Sequence, residues 1–184
     1  MLTIKSGKKA VPIPETEKEL KRIGKLWIQR ARYKLDNAKP FEAKGTGKLR
    51  ASMKTKVFVE RNQPNVDITP SVTYWEFVDM GVQGSKSSPF PLQKKSPFKF
   101  TSKMPPREPI LKWVKTRGLQ FRDANGRYVT HNTTAYLIQR SIYFRGLKPR
   151  RFISDTGQAL MDKYFERVVS AYMRDLENAT KTDT

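Results

Sequence analysis

The sequence predicts an α+β fold in which a small antiparallel sheet is packed by an N-terminal helix and a long C-terminal helix. Two long segments, one near each end of the chain, have apolar residues at helical spacing. Between them lie short segments in which apolar and polar residues alternate, as in half-buried strands. A long basic loop rich in Pro, Ser and Lys interrupts the pattern, and it is the least ordinary part of the predicted fold.

The N-terminal part is expected to be an extended arm over residues 1–14, followed by a helix from about Thr16 to Asn37. Thr16 is the candidate cap, with Glu19 at the capping-box position, and a proline shortly after the helix favours its end there. The apolar residues at helical spacing are Leu20, Ile23, Leu26, Trp27, Ala31 and Leu35.

The next segment predicts a turn at residues 45–47, a short helix with Leu49 and Met53, and then strands. The stretches "KVFVERN" and "NVDITP" alternate, and the "RNQPN" that overlaps both has the composition of a hairpin turn. A third apolar stretch, "VTYWEFVDM", is interpreted as a further strand, although it could equally be helical.

Residues 81–104 have no helical period and are expected to be a long loop. Such a loop inside a compact domain is uncommon and is usually functional or disordered. Because it carries three phenylalanines, we expect it to dock, either on its own domain or on a neighbouring subunit. Its lysines are candidates for contact with DNA in a lumen or with a partner protein: Lys86, Lys94, Lys95, Lys99 and Lys103.

The C-terminal half predicts a helix in "PPREPILKWVKTRG", a hairpin around "DANG", and a helix in "NTTAYLIQRSIYFRG" capped by Asn132 or Thr133. The last helix starts at Ser154 or Asp155. Residues 15–180 are interpreted as one domain, and residues 181–184 as a frayed tail. The apolar stripe of the last helix, predicted to be core, consists of Leu160, Tyr164, Phe165, Val168, Val169, Tyr172, Met173 and Leu176.

The charge is large and unevenly distributed. The chain has 37 Lys and Arg against 17 Asp and Glu, a net charge of +20. Residues 86–151 hold 16 basic and two acidic side chains, whereas residues 152–184 hold four basic and six acidic ones. Segregated charge of this size indicates a polyanion or an acidic protein surface as a partner, although a merely well-hydrated basic surface is the plainer alternative.

Few residues are available for catalysis. The chain has no Cys and one His, His131, so disulfides and thiolate metal sites are excluded and a multi-His site has nothing to build on. Asp67, Glu76 and Asp79 could be imagined as a metal-dependent nuclease cluster, but solvated or ion-paired carboxylates are the favoured interpretation. The "GTGK" at residues 45–48 lacks the full spacing of a phosphate loop. We therefore expect no enzyme activity, no cofactor and no metal.

The segment "FRGLKPRRFI" lies between two helical patterns. Gly146 permits a helix end and Pro149 prevents helix continuation, so a fixed bend is expected. The bend would present four cations that are candidates for subunit or partner contact: Arg145, Lys148, Arg150 and Arg151. No apolar segment is long enough to span a membrane, and the N-terminus does not have the pattern of a secretory signal, so no membrane partner is expected.

The order of three motifs resembles the tail-completion or neck proteins of tailed bacteriophages, a family of minor tail components at the head–tail junction. The motifs are "TGKLRAS", "YWEFVDMG" and "GLKPRRF", which begin at Thr46, Tyr74 and Gly146. They correspond to the "TG-LR-S", "Y--F-E-G" and "G-KPRPF" segments of that family. The sequence departs from the pattern at "FVDMG", and its loop at 83–104 is longer than the resemblance leads us to expect.

The resemblance implies an α+β protomer that forms a closed, commonly six-fold ring in the virion neck or tail end, after assembly in the host cytoplasm. Its implied function is tail completion or termination, in which the ring joins the tail to the head connector and contacts other neck, connector and tail-tube proteins. The alternative is a virion-associated protein that binds genomic DNA without sequence preference.

Overall fold

The computed structural model describes residues 1–6, 9–37 and 47–181. These form two compact units, Met1–Thr73 with Arg151–Thr184, and Tyr74–Arg150. Both contain helices, each contains small antiparallel strand pairs, and the longest helix is the C-terminal one, so the predicted α+β class is confirmed. The interpretation of residues 15–180 as one domain stays a prediction. Thr46 of the first motif and residues 45–46 of the predicted turn lie outside the described residues, as does the predicted tail beyond Lys181.

The first unit is built from a strand pair, a hairpin and two long helices. Its elements are β1 (Thr3–Ser6), β2 (Lys9–Pro12), α1 (Pro14–Asp36), α2 (Lys48–Ser52), β3 (Met53–Glu60), β4 (Gln63–Pro70) and α6 (Ser154–Lys181). The N-terminal arm is therefore not merely extended, because β1 and β2 pair with each other. Helix α1 contacts both strands of the β3–β4 hairpin, and α6 packs along α1.

Apolar side chains from all these parts form the core of the first unit. Ile13, Leu20, Ile23 and Leu160 are among its least exposed members, together with Ile68 on β4. The two long helices had been identified by their apolar spacing, and the burial of Leu20, Ile23 and Leu160 agrees with that spacing. The core lies between α1, α6 and the inner face of the hairpin.

The β3–β4 hairpin is in register from Met53 opposite Pro70 to Glu60 opposite Gln63. Its two-residue turn is formed by Arg61 and Asn62, both at positive φ (49° and 64°). Two such residues are typical of a type I′ turn, whose twist matches that of the strands. The hairpin predicted from "RNQPN" is therefore confirmed.

Helix α1 is capped from a distance rather than by Thr16. The helix begins at Pro14, two residues earlier than predicted, and the residue before it provides no side-chain cap. Thr16 is fully buried, and its backbone N–H (2.8 Å) and hydroxyl (2.7 Å) both donate to the carboxylate of Asp175 on α6. The N–H of Glu15 donates to the other oxygen of Asp175 at 3.0 Å. The predicted capping box is thus wrong, because a carboxylate 159 residues away satisfies the free N–H groups.

The second unit has one short helix and two of moderate length, together with a pair of two-residue strands. Its elements are α3 (Trp75–Met80), β5 (Val82–Gln83), a 3-10 turn (Pro91–Lys95), α4 (Arg107–Arg117), α5 (His131–Arg145) and β6 (Gly146–Leu147). The stretch "VTYWEFVDM" takes the helical alternative. Helix α4 packs on α5, and β5 pairs with β6.

Two local details of the second unit differ from the sequence expectations. Helix α5 is capped by Thr130, whose hydroxyl accepts the N–H of Thr133, so the cap lies two residues before Asn132. The "DANG" turn is present, because the Asp123 carboxylate accepts the N–H groups of Asn125 and Arg127, each at 2.9 Å. The residues on the two sides of this turn form a single β-bridge, between Arg122 and Tyr128, rather than two paired strands.

Candidate functional site

The bend after α5 is held by backbone hydrogen bonds within the second unit. Leu147 pairs with Val82, and the N–H of Arg150 donates to the Val78 carbonyl at 3.0 Å. Gly146 has φ 76°, and a Cβ added there would lie 2.0 Å from the Val82 carbonyl oxygen. Only glycine combines this backbone conformation with so close an approach. The segment "GLKPR" therefore has a fixed backbone, as the sequence led us to expect.

A buried glutamine connects the long loop to this bend by hydrogen bonds. The Gln93 side-chain amide donates to the carbonyls of Val82 and Arg145, each at 2.7 Å. Its side-chain oxygen accepts the N–H of Phe90 at 3.4 Å. Gln93 is fully buried, and its three hydrogen bonds provide partners for backbone groups that would otherwise need water. Nothing in the sequence marked this residue, because a glutamine in a Lys-rich loop is expected to face solvent.

The loop at 81–104 docks on its own unit, which was the first of the two alternatives. The N–H of Ser85 donates to the Tyr143 carbonyl, and those of Lys86 and Ser87 donate to the Phe144 carbonyl, at 2.9 to 3.2 Å. On the other side of β5, Gln83 exchanges backbone hydrogen bonds with the segment Phe98 to Phe100. Apart from the strand β5 and the 3-10 turn, the loop is irregular, but it is fixed to the end of α5.

The five predicted loop lysines are all exposed. Lys86 lies over the ring of Phe144, with its ammonium 4.6 Å from the ring centroid. Lys94 and Lys95 are at the end of the 3-10 turn, directly after Gln93. The side-chain amide of Gln93 donates a hydrogen bond to the Arg145 carbonyl. Lys99 and Lys103 follow along the remainder of the loop. The docked loop thus brings Lys86, Lys94 and Lys95 next to the C-terminal end of α5.

The four cations of the bend have different surroundings. Arg145 and Lys148 are exposed, and the Lys148 ammonium lies 5.2 Å from the centroid of Phe90 in the loop. Arg150 is half-buried, and burial lowers the pKa of its guanidinium, which still remains charged. Arg151 belongs to the first unit, where its Nε donates to the Asp155 carboxylate. The exposed cations of the bend are therefore Arg145 and Lys148.

An open apolar groove of about 730 Å³ lies in the second unit, and Leu147 of the bend is part of its lining. The lining also includes six aromatic or apolar residues from the loop and from the first turns of α3 and α4 with the residues just before them: Tyr74, Phe77, Phe98, Phe100, Pro106 and Ile110. We call it the aromatic groove. Phe77 and Phe98 pack edge to face, with their centroids 4.5 Å apart, and Phe77 is still 41% exposed. The sequence does not predict this groove, although the phenylalanines of the loop are its one local signal.

The C-terminal helix carries an exposed apolar ridge where the sequence predicted core. Met161, Phe165, Val169 and Met173 are four residues apart and between 36% and 58% exposed. We call these four residues the α6 stripe. The buried residues of α6 lie on another side of the helix: Gly157, Leu160, Ala171 and Asp175. The expectation that Phe165, Val169 and Met173 are core is thus wrong, because α1 covers a narrower face than the apolar stripe offers.

The carboxylates and the histidine form no common site in the described part of the chain. Residues 1–6, 9–37 and 47–181 contain no group of three or more acidic, His or Cys side chains that could hold a metal ion. Asp67 is exposed on β4 and accepts the Thr69 hydroxyl at 3.1 Å, whereas Asp79 is buried on α3. His131 is half-buried at the first position of α5.

No protein-family model matches the chain, and neither a curated protein nor a solved structure shows significant similarity to it. Among the helices of the described residues, none combines the length and the apolar character that crossing a membrane requires.

Proposed function

We propose that the protein is a structural component of a phage virion, located at the neck or tail end, where it completes or terminates the tail and joins it to the head connector. In this proposal it acts as a homo-oligomer in the form of a hexameric ring, and it contacts neighbouring neck, connector and tail-tube proteins. The proposal assigns the protein no enzyme activity.

The observation that carries the proposal is the contact between two of the three motifs on which the resemblance rests. "YWEFVDMG" and "GLKPRRF" are more than 60 residues apart, yet Val78 accepts the Arg150 N–H and Val82 pairs with Leu147. Gly81 has φ 73°, and a Cβ there would lie 2.6 Å from the Leu147 carbonyl oxygen. The two motifs are distant in sequence, yet they contact each other where each has a glycine. This contact gives one structural reason for both motifs, which supports the view that they did not arise independently by chance.

The exposed surfaces support an assembly role as well. Residues 74–150 contain 15 Lys and Arg against four Asp and Glu, and the aromatic groove lies among those cations. The α6 stripe adds a second exposed apolar surface on the first unit. Large exposed apolar patches that are rimmed by charge usually mark interaction sites. In the proposed ring, Arg145 and Lys148 contact acidic surfaces of neighbouring subunits or partners, and the loop lysines face a lumen or partner.

The test is complementation of a phage in which the gene for this chain has been inactivated. Such a phage is expected to accumulate separate heads and tails, and added purified chain is expected to restore joined, infectious particles. Joined particles formed without the chain would contradict the proposal. As a matched pair, Lys94→Gln with Lys95→Gln should impair joining, whereas Lys112→Gln with Lys115→Gln on α4 removes the same exposed charge and should not.

Sequence-independent DNA binding is the second candidate, and the charge of the second unit favours it. Native mass spectrometry over a salt series, with and without short duplex DNA, separates the two candidates. The proposed function requires a discrete closed oligomer that survives salt and does not bind the duplex at physiological salt. A monomer that still binds the duplex at physiological salt would favour DNA binding instead.

A further inference from the structure

We infer that the α6 stripe of one chain docks into the aromatic groove of a second copy, so that copies associate head to tail. This inference deepens the proposed function, since it names the contact by which a ring would close. It rests on two unlike surfaces of the same chain, an exposed apolar face of a helix and an apolar groove, and on the charges that border each of them. One flank of the helix face is not free, because Met161, Phe165 and Val169 also line a shallow groove of about 540 Å³ with α1 and residues 62–66.

The ridge is of suitable length for a groove. Its four residues recur every fourth position, and each is turned by about 40° from the one before, so the stripe winds gradually along one side of α6. The distance from Met161 to Met173 is about 18 Å at 1.5 Å per residue. Two of the four residues are methionines, whose flexible side chains adapt to the surface that they meet. The groove is apolar and open along one side, so an inserted ridge of large side chains would lose most of its exposure to water.

The charges beside the two surfaces are opposite. One edge of the α6 stripe is acidic, because Asp162 is three residues before Phe165, Glu166 is three before Val169, and Glu177 is four after Met173. All three are exposed, and none forms an ion pair with the residues that the structure describes.

The groove has a basic border. Lys99 is part of its lining, and three further exposed cations are next in sequence to, or close to, lining residues: Lys103, Arg107 and Lys148. Two acidic residues, Glu76 and Glu108, are also next to lining residues, so the positive charges outnumber the negative ones. Opposite charges around an apolar contact fix its orientation and speed the encounter of the two surfaces. An acidic edge on the ridge and a basic border on the groove are therefore complementary.

The same charges disfavour the simplest alternative, in which two α6 stripes pair with each other. An antiparallel two-fold pairing of identical surfaces would place the acidic edge of one helix near that of the other, and like charges in contact are unfavourable. A head-to-tail contact has the further property that each added chain leaves one ridge and one groove free. Association of this kind forms a ring when the rotation between successive chains closes, and an open filament when it does not.

Cysteine cross-linking tests the contact directly, because the chain has no cysteine of its own. Val169→Cys places a thiol in the middle of the ridge, and Ile110→Cys places one in the groove. An oxidised mixture of the two variants should give a mixed dimer. Ser170→Cys is the matched control, since it is exposed on the same helix about 100° away from Val169. Its mixed dimer with Ile110→Cys should form in several-fold lower yield.

Two results would overturn the inference. One is a mixed yield no higher than that of the Ser170→Cys control, and the other is a predominance of Val169→Cys homodimers, which would indicate helix-to-helix pairing. The charges give an independent measurement by sedimentation. Asp162→Lys with Glu166→Lys should weaken self-association about tenfold, and Lys99→Glu with Lys103→Glu in the same chain should restore it in part.

Failure of the inference and failure of the proposed function can be distinguished. If the cross-link forms as expected but the chain does not restore head–tail joining, the contact is real and the proposed function is wrong. If Phe165→Asp abolishes the cross-link between the other two positions yet still restores joining, the ring closes through other surfaces and the inference is wrong.

Discussion

Asp175 has a structural role that its charged side chain alone would not suggest. It is 2% exposed, and its two oxygens accept three hydrogen bonds from Glu15 and Thr16 at the start of α1. A carboxylate at this position also interacts favourably with the positive end of the helix dipole. Asp175 thereby joins the end of the chain to the start of its first helix.

We expect Asp175→Asn to lower the free energy of unfolding of the first unit by about 1–3 kcal/mol, because it turns one acceptor into a donor that faces N–H groups. Hydrogen exchange of the α1 amides, measured by mass spectrometry, reports this unit selectively. The control is Asp162→Asn on the exposed side of the same helix, for which a change within about 0.5 kcal/mol is expected. Equal exchange in the two variants would show that the buried cap contributes nothing.

Asp155 makes stability depend on pH in the acid range. Partial burial acts to raise its pKa, but hydrogen bonds from Lys34 (2.8 Å) and Arg151 and their positive charges outweigh burial, so the pKa is lowered overall. A lowered pKa in the folded state means that the stabilisation is complete above the ordinary Asp value of about 3.9. It is lost as the pH falls through the lower, folded-state pKa.

Accordingly, Asp155→Asn should destabilise the first unit near neutral pH by at most about 1 kcal/mol, since the pair is partly exposed. The difference from the unchanged chain should begin to shrink as the pH falls below the ordinary Asp value of about 3.9, and it should disappear below the folded-state pKa, where the carboxyl is protonated in both states. Urea denaturation followed at a series of pH values measures the difference. A constant difference down to the lowest pH would mean that the ion pairs of Asp155 are not its cause.

At the scale of elements, the bend depends on a glycine with no space for a side chain. Gly146→Ala would place a methyl group 2.0 Å from the Val82 carbonyl oxygen and 2.2 Å from the Gln93 amide nitrogen. Gly118 is the matched control, because it also has positive φ (61°) but nothing within 4 Å of an added Cβ. The two substitutions share a positive φ, but Gly146 has ψ −166°, a conformation essentially restricted to glycine, whereas Gly118 has ψ 29°, so Gly146→Ala adds both strain and the collision.

Gly118→Ala should destabilise the second unit by about 1–2 kcal/mol, the cost of a left-handed conformation for an L-residue. Gly146→Ala should cost clearly more, because it also separates β5 from β6 and displaces Gln93. The faster hydrogen exchange should include the amides of Ser85, Lys86 and Ser87, which donate to the end of α5. If the two variants exchanged alike, the close approach at the bend would not be essential.

The elements that the sequence predicts well are those with strong local patterns. Helices α1 and α6 and the β3–β4 hairpin each have several apolar residues at one spacing, together with turn or cap residues at their ends. The stretch that forms α3 has only six helical residues, and both periods fit so short a segment. The cap of α1 was mispredicted because Asp175 is brought to Thr16 by tertiary packing, which no local pattern contains.

Only part of the candidate site could be predicted in the same way. The cations of the bend and of the loop follow from composition, and the bend follows from Gly146 and Pro149. Gln93 and the aromatic groove could not be predicted, because they exist only once the loop is docked on α5. The exposure of Phe165 was missed for a related reason, since the apolar width of a helix does not reveal how much of it a neighbouring helix covers.

At the scale of the whole molecule, charge separates the proposed function from its alternative. A chain with a net charge of +20 will bind duplex DNA at low salt by releasing counterions, whatever its function. Affinity at low salt therefore decides nothing. What distinguishes a dedicated DNA-binding protein is the affinity that remains at physiological salt, and the number of cations that contact phosphates together.

We expect the chain to bind a short duplex at about 50 mM salt and to lose that affinity by at least about a thousandfold at 200 mM, as non-specific binders do. Lys94→Gln with Lys95→Gln should reduce the slope of log affinity against log salt by about 2 if both lysines contact phosphates, whereas Lys112→Gln with Lys115→Gln reports the effect of charge alone. Fluorescence anisotropy over a salt series measures both slopes.

Equal slopes for the two double variants would assign the loop lysines to protein partners. Tight binding at 200 mM salt that only the Lys94→Gln, Lys95→Gln variant loses would favour the DNA-binding alternative. The charge of the second unit serves assembly if the loop lysines matter for joining but not for this slope.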